Sequence, residues 1–294
     1  MENNDRIIKF LAFNGRISIT CINSTYLVEQ ARKIHDLSPT ATAALGRVLT
    51  ISAVMGSELK GVQDKLTVKI KGNGPIGEII ATANYFPKIK AFVSNPHVDV
   101  PLKDNGKINV GDAVGKEGFL TVIKDIGLKE PYNGMVPLIS GEIAEDFANY
   151  FAISEQKPTV VSLGVLVDKN GVKASGGYVI TPMPDATDED ITKIENAVKN
   201  AKPISKMLEE ELSLLDIAKI VTDNENIEVI EENIIPIYEC DCSRQRFEKG
   251  LISLGKEELE TIIKEDEKVE IVCQFCNKKY NFSKEELEDL IKEI

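Results

Sequence analysis

Apolar and polar residues change period several times along this chain, and each change marks an element. Ile7 to Phe13 form an apolar-rich run ending at Asn14-Gly15. Ile17, Ile19, Cys21 and Ile22 follow with near-alternation, so residues 6–30 predict a strand pair about a tight turn. Ser38-Pro39 sets a capping hydroxyl before a proline at a first helical position. The run from Thr40 to Leu59 is rich in small residues, with Arg47 and Glu58 as its charges; it predicts a buried central helix packed on a sheet. Leu66, Val68 and Ile70 alternate, Gly72-Asn73-Gly74-Pro75-Ile76-Gly77 intervenes, and Glu78 to Ala81 resume. That glycine-rich stretch lacks the Lys-Ser/Thr ending and the following helix of a phosphate loop, so it reads as a hairpin turn.

Further turns are marked by Asp104-Asn105-Gly106 and Asn170-Gly171. Gly118 to Lys124 and Val160 to Val167 predict strands, the second pairing with Val172 to Thr181. Between them Ile143, Phe147, Tyr150 and Phe151 recur at helical spacing. Glu145 and Asp146 fall in that helix's first turn, where the dipole favours carboxylates. Adjacent helix positions face different ways, so the pair is expected to be a solvated face and not an acid–base couple.

After Thr181-Pro182-Met183-Pro184 the composition shifts. Residues 187–222 read as short acidic helices, opened by the capping pair Thr187 and Asp190 and broken at Pro203. Helices this short need a surface to dock on, and they could undock at modest cost. Further on, Lys256 to Lys264 predicts a helix, and Ser283-x-x-Glu286 opens a last one to Ile294. The expected class is α+β: a core domain over 1–181 with a large antiparallel sheet, a helical linker over 182–230, and a small C-terminal module over 231–294.

Charge and composition narrow the function. Across 294 residues the formal net charge is −12, which lowers the expectation of a nucleic-acid backbone or an anionic membrane as partner. No run of about 18 apolar residues suggests a membrane span. The start, Met1-Glu2-Asn3-Asn4-Asp5-Arg6, is polar and lacks a secretory pattern, so the expected compartment is the cytoplasm. His35 and His97 stand alone, and no Ser or Cys nucleophile has a visible His–acid partnership, so no enzymatic activity is expected. Cys21 sits among apolar residues and reads as a small buried hydrophobe.

The remaining cysteines carry the chemistry. Cys240 and Cys242 form C-x-C, and Cys273 and Cys276 form C-x-x-C after 30 intervening residues. Four thiolates suit one soft divalent ion, Zn²⁺ above all, and leave it no open position for hydrolytic water. Arg244, Lys278, Lys279, Phe247 and Phe275 are expected to hold thiolate charge or shield the site. Spacing alone leaves a structural zinc staple and a redox switch both open. With so little apolar sequence in the module, bound zinc is expected to supply much of its stability.

In this setting the chain resembles the 33 kDa chaperonin family, the redox-regulated heat-shock holdases of bacteria. The resemblance rests on the cysteine signature, the 132–146 stretch from Tyr132-Asn133-Gly134-Met135 to Ala144-Glu145-Asp146, the Gly72–Gly77 turn and Gly176-Gly177-Tyr178. It implies a reduced, zinc-bound, inactive form. Oxidation would join Cys240 with Cys242 and Cys273 with Cys276, release zinc, loosen the linker and activate capture of unfolding clients. It further implies a homodimer when activated and transfer of clients to an ATP-dependent foldase. Two other readings remain: a constitutive zinc-binding adaptor, and a thiol oxidoreductase using Cys273 and Cys276.

Overall fold

The computed structural model describes residues 3–265, 268–292 and 294. The chain divides into two units, the first running to Glu239 and the second from Cys240 to Ile294. Met1, Glu2 and Glu293, parts of the expected N-terminal stretch and last helix, lie outside the described residues.

The first unit opens with the hairpin β1 (Arg6–Ala12) and β2 (Ile17–Asn23), in which Ile7 faces Ile22 and Ala12 faces Ile17. The expected strand pair stops at Asn23; α1 (Thr25–His35) takes over, burying Leu27, Val28 and Ala31. Ser24 supplies no side-chain cap, and of the backbone N–H groups at its start Asn23 Oδ1 accepts only that of Thr25, at 3.1 Å. The carboxylate of Asp5, a residue beside β1, accepts the backbone N–H of Tyr26 at 3.0 Å and of Leu27 at 2.7 Å. A cap supplied from 21 residues away leaves no local sequence signal.

Next comes α2 (Pro39–Gly56), where Ser38 Oγ accepts the Ala41 N–H at 3.1 Å. Small residues let this helix lie buried on nearly every side. At Gly46 a Cβ would come within 2.7 Å of Val28 and 2.9 Å of Val165. There follow β3 (Lys65–Lys71), β4 (Glu78–Asn84), β5 (Lys88–Val93), α3 (Val110–Val114), β6 (Phe119–Asp125), β7 (Tyr132–Pro137), α4 (Ala144–Ser154), β8 (Val160–Asp168) and β9 (Gly171–Pro182). The Gly72–Gly77 turn joins β3 to β4 and hydrogen-bonds to protein backbone, with Gly74 and Ile76 donating to Val114 and Ala113. A Cβ at Gly74 would stand 2.3 Å from the Ala113 oxygen, so the glycine serves close backbone approach.

Residues 182–239 add α5 (Asp188–Asn200), α6 (Ile204–Glu209), α7 (Leu214–Val221), β10 (Ile227–Ile234) and β11 (Ile237–Tyr238). Two sheets result, ordered β10-β1-β2-β9-β8 and β11-β5-β4-β3-β6-β7, with α2 packed against strands of both. The pairing is antiparallel except for β11 beside β5. A second apolar cluster joins Phe10, Ile19 and Ile180 of the first sheet to Ile194, Met207 and Ile217 of the helices. The Thr187–Asp190 capping box forms as expected, and Arg16 grips the Asp190 carboxylate through two N–H bonds of 2.7 and 2.9 Å. The expected boundary at 230/231 falls inside β10, and the compact unit continues to Glu239. Glutamates at 228, 231 and 232 obscure the strand pattern there.

Asp146 also departs from expectation. It is fully buried, not a solvated helix face. Its Oδ1 accepts the N–H groups of Ile139, Ser140 and Gly141, and its Oδ2 accepts that of Ile143. The turn before α4 carries Ile143 and Gly141 at positive φ, and the carboxylate collects the amide groups this bend turns inward. Glu145 is exposed as expected.

The second unit holds α8 (Arg244–Leu254), α9 (Lys256–Glu265), the hairpin β12 (Lys268–Val272) with β13 (Lys279–Ser283), and α10 (Lys284–Lys292). Its core is small: Leu251, Leu259, Tyr280, Phe282, Leu287 and Leu290, with Cys273. The capping box forms, Ser283 N–H reaching Glu286 at 2.8 Å and Glu286 N–H reaching Ser283 Oγ at 3.4 Å. No helix among the described residues is long and apolar enough to cross a membrane.

Candidate metal centre

An irregular stretch and a hairpin turn bring the four cysteines together. Cys240 and Cys242 lie in the irregular stretch before α8, which begins where Ser243 Oγ accepts the Arg246 N–H. Cys273 and Cys276 lie in the turn between β12 and β13. There Asn277 N–H donates to the Cys273 carbonyl at 2.8 Å and Cys273 N–H to the Lys278 carbonyl at 2.9 Å. The turn closes through Asn277 at φ 58°, the left-handed region that asparagine tolerates. C-x-x-C-N therefore encodes a bend that points both sulfurs the same way.

The sulfurs of all four lie within 4.8 Å of one another. Cys240 and Cys273 Sγ are 3.7 Å apart, and Cys242 and Cys276 Sγ are 3.4 Å apart. Four sulfurs about 2.3 Å from a central ion would be separated by about 3.8 Å along each tetrahedral edge. The donor set and spacing fit an ion of that kind, and the cysteines can hold one metal ion between them. Cys273 is buried and the other three are half-buried, so the set lies partly within the unit's apolar core.

The surroundings differ sulfur by sulfur. Burial pushes the Cys240 and Cys276 thiols up from their ordinary value. Burial also works to raise Cys242, but the Tyr280 hydroxyl and the neighbouring cysteines outweigh it and bring that thiol below its ordinary value. Tyr280 Oη stands 3.1 Å from both the carbonyl and the Sγ of Cys242. The same contact pushes the phenol up to about 12.

Tyr280 is the site residue that sequence reasoning missed. Its signal was modest: in β13, Tyr280 and Phe282 alternate inward while Lys279 and Asn281 face out. Phe247 packs against the Tyr280 ring at 4.8 Å between centroids. The expected cations serve other partners. Arg244 reaches Glu248, Glu286 and the Asn281 carbonyl and lies over Phe282; Lys279 pairs with Glu270; Lys278 lies over the Tyr280 ring. Arg244 therefore braces β13 and α10 behind the site, and its long planar head suits that role better than a point contact to sulfur.

The other chemistry-bearing residues belong to the first unit. Cys21 is fully buried in its apolar sheet, and burial raises its thiol far from reactivity. His35 is buried and shares a 2.9 Å hydrogen bond with the Tyr238 hydroxyl, which donates to the Ala91 carbonyl; His97 is exposed.

Comparison with known proteins agrees along the whole chain. The family model described as "Hsp33 protein" matches residues 5–283. The 33 kDa chaperonin of Clostridioides difficile is 47% identical over 290 residues, 99% of each chain. That of Alkaliphilus metalliredigens is 46% identical over 99% of this chain and all of its own. The crystal structure of the 33 kDa chaperonin (heat shock protein 33 homolog) from Thermotoga maritima superposes with a TM-score of 0.90, at 39% identity and 98% coverage of both chains.

Proposed function

The chain belongs to the Hsp33 family of chaperones, and on that premise we propose that it is a redox-regulated holdase, held inactive by one zinc ion on Cys240, Cys242, Cys273 and Cys276. The observation that carries this reading is the grouping of four thiols within 4.8 Å of one another from two separate stretches of chain, in a unit whose own core is small. When bound, zinc would cross-link the two stretches and keep the thiols as oxidisable thiolates.

The chain's own residues supply the rest. Oxidation would begin at one of the half-buried sulfurs, Cys240, Cys242 or Cys276, and not at buried Cys273. A peroxide accepts two electrons and is reduced to water as each Sγ–Sγ bond forms. Following the pattern that the family resemblance implies, we assign the bonds to Cys240 with Cys242 and Cys273 with Cys276. With all four donors consumed, the small core of Leu251, Leu259, Phe282 and Leu287 must hold the second unit alone. Loss of that order would loosen the adjoining 182–239 segment, whose apolar faces are the reading's source of client-binding surface. The activated form is proposed to be a cytoplasmic homodimer that passes clients to an ATP-dependent foldase, without catalytic turnover of its own. A thiol oxidoreductase asks for an accessible leading cysteine in C-x-x-C, and Cys273 is buried.

Zinc content and suppression of aggregation of a heat-unfolding client, followed on one sample, test the reading. Peroxide at mild heat should release zinc and raise protection, and dithiothreitol with zinc should reverse both. Retention of zinc, or its release without gain of protection, refutes the switch and leaves a structural staple.

A further inference from the structure

A cleft of about 450 Å³ in the first unit, bordered by α2, the 103–108 loop, β8 and α6, has no part in the cysteine centre. Its size falls within the usual range of small-ligand sites. Four cationic side chains line it, Arg47, Lys103, Lys107 and Lys206, against one carboxylate, Glu142. In a chain of net charge −12 this is a local reversal of sign.

Glu142 is fully engaged. Its Oε2 accepts from Arg47 Nη1 at 2.7 Å; its Oε1 pairs with Lys103 Nζ at 2.6 Å and accepts the Gly111 N–H at 3.0 Å. One negative charge therefore answers two positive ones. Lys206 is occupied by Glu209 at 2.6 Å, while Lys107 is exposed. Arg47 Nε is buried and finds no acceptor among the described residues, while Nη1 also donates to the Glu142 carbonyl at 2.9 Å. Surplus positive charge on a concave wall describes an oxyanion's complement.

We propose that this cleft binds a small phosphate-class anion. The planar Arg47 head would direct N–H groups at phosphate oxygens while Lys103 and Lys107 close on it from the loop. Because α6 forms one wall, the bound anion would tie the 182–239 segment more firmly to α2 and β8. The site is independent of the metal centre and of the holdase reading.

The test uses the full-length reduced protein. Pyrophosphate is titrated calorimetrically at constant ionic strength, beside matched potassium chloride and a glutamate decapeptide. Wild type should bind pyrophosphate, and Lys107→Gln should bind roughly tenfold more weakly, the scale of one hydrogen bond to a charged group. Lys284→Gln, in the second unit, should bind as wild type does. Arg47→Lys should weaken binding while keeping the charge; if it fails to fold, Lys107→Gln decides. Heat no greater than with potassium chloride overturns the proposal. So does equal affinity in Lys107→Gln and wild type, or binding of the decapeptide but not of pyrophosphate.

Discussion

Replacing Asp146 by asparagine should destabilise the first unit far more than its position in a helix's first turn would suggest. The carboxylate is fully buried and receives four backbone N–H groups, three on Oδ1 and one on Oδ2. Asparagine keeps one oxygen for Ile139, Ser140 and Gly141, but its NH2 must face the Ile143 N–H, donor against donor. One charge-assisted bond is lost and three become neutral, for an expected cost of about 3 kcal/mol. In a unit of this size that lowers the melting temperature by roughly 6–12 °C. Amide hydrogen exchange at Ile139, Ser140, Gly141 and Ile143 should accelerate together. Glu145→Ala, at the exposed neighbour, should change stability by less than about 0.5 kcal/mol. If Asp146→Asn and Glu145→Ala melt alike, or if the four amides keep their protection, the reasoning is refuted.

Other outcomes follow from the same geometry. Tyr280→Phe removes the hydroxyl beside Cys242 and should weaken retention of a metal ion loaded on the four cysteines by about 10- to 100-fold, read by competition with a chromogenic chelator. Stripping metal with a chelator should erase amide protection in residues 240–294 and leave that of α2 and β3 intact, as separate compact units require. Glu29 accepts two N–H bonds from Arg32 and one from Val172, and the Arg32 contact leads in holding its carboxyl down at about 2. A carboxyl lower in the folded than in the unfolded chain contributes stability above pH about 4.5 and loses it as pH falls toward 2. About 2 kcal/mol should disappear across that window, allowing for the partly exposed Arg32, and Glu29→Gln should flatten the acid limb of a denaturation series. Arg16→Ala should strip the bidentate partner from Asp190 and speed exchange in α5 before any change in α2.

Local chemistry made part of this molecule legible. Ser38-Pro39, Thr187 with Asp190 and Ser283 with Glu286 name their helices because donor and acceptor lie three residues apart. The four-cysteine cluster was legible because cysteine pairs at short spacing have few other uses. What escaped depends on partners distant in sequence. The start of α1 is capped by Asp5, so residues 24–30 read as more strand. Asp146 acts on amides that a bend turns inward, and the bend is invisible without its φ angles. β10 is an edge strand with both faces largely exposed, so burial never imposed an alternating pattern on it. Tyr280 was hidden among ordinary strand residues, since a single hydroxyl aimed at sulfur has no sequence signature.

The route by which the chain leaves the first unit has a mechanical consequence. Within residues 227–239 it pairs along β1 in one sheet and then beside β5 in the other, like one stitch through two layers of cloth. β11 pairs with β5 at two register positions, beside the Tyr238 hydroxyl bonds and the Lys88–Glu239 ion pair, and the β1–β10 register is irregular near Ile7 and Lys9. Tension applied beyond Glu239 would meet that short seam first. It would then peel β10 from its Ile234 end, one rung at a time, in place of shearing all rungs at once. A tether fastened this way yields to small loads and spares the helix between the sheets. In an optical trap, the first extension step should be short, low in force and readily reversed.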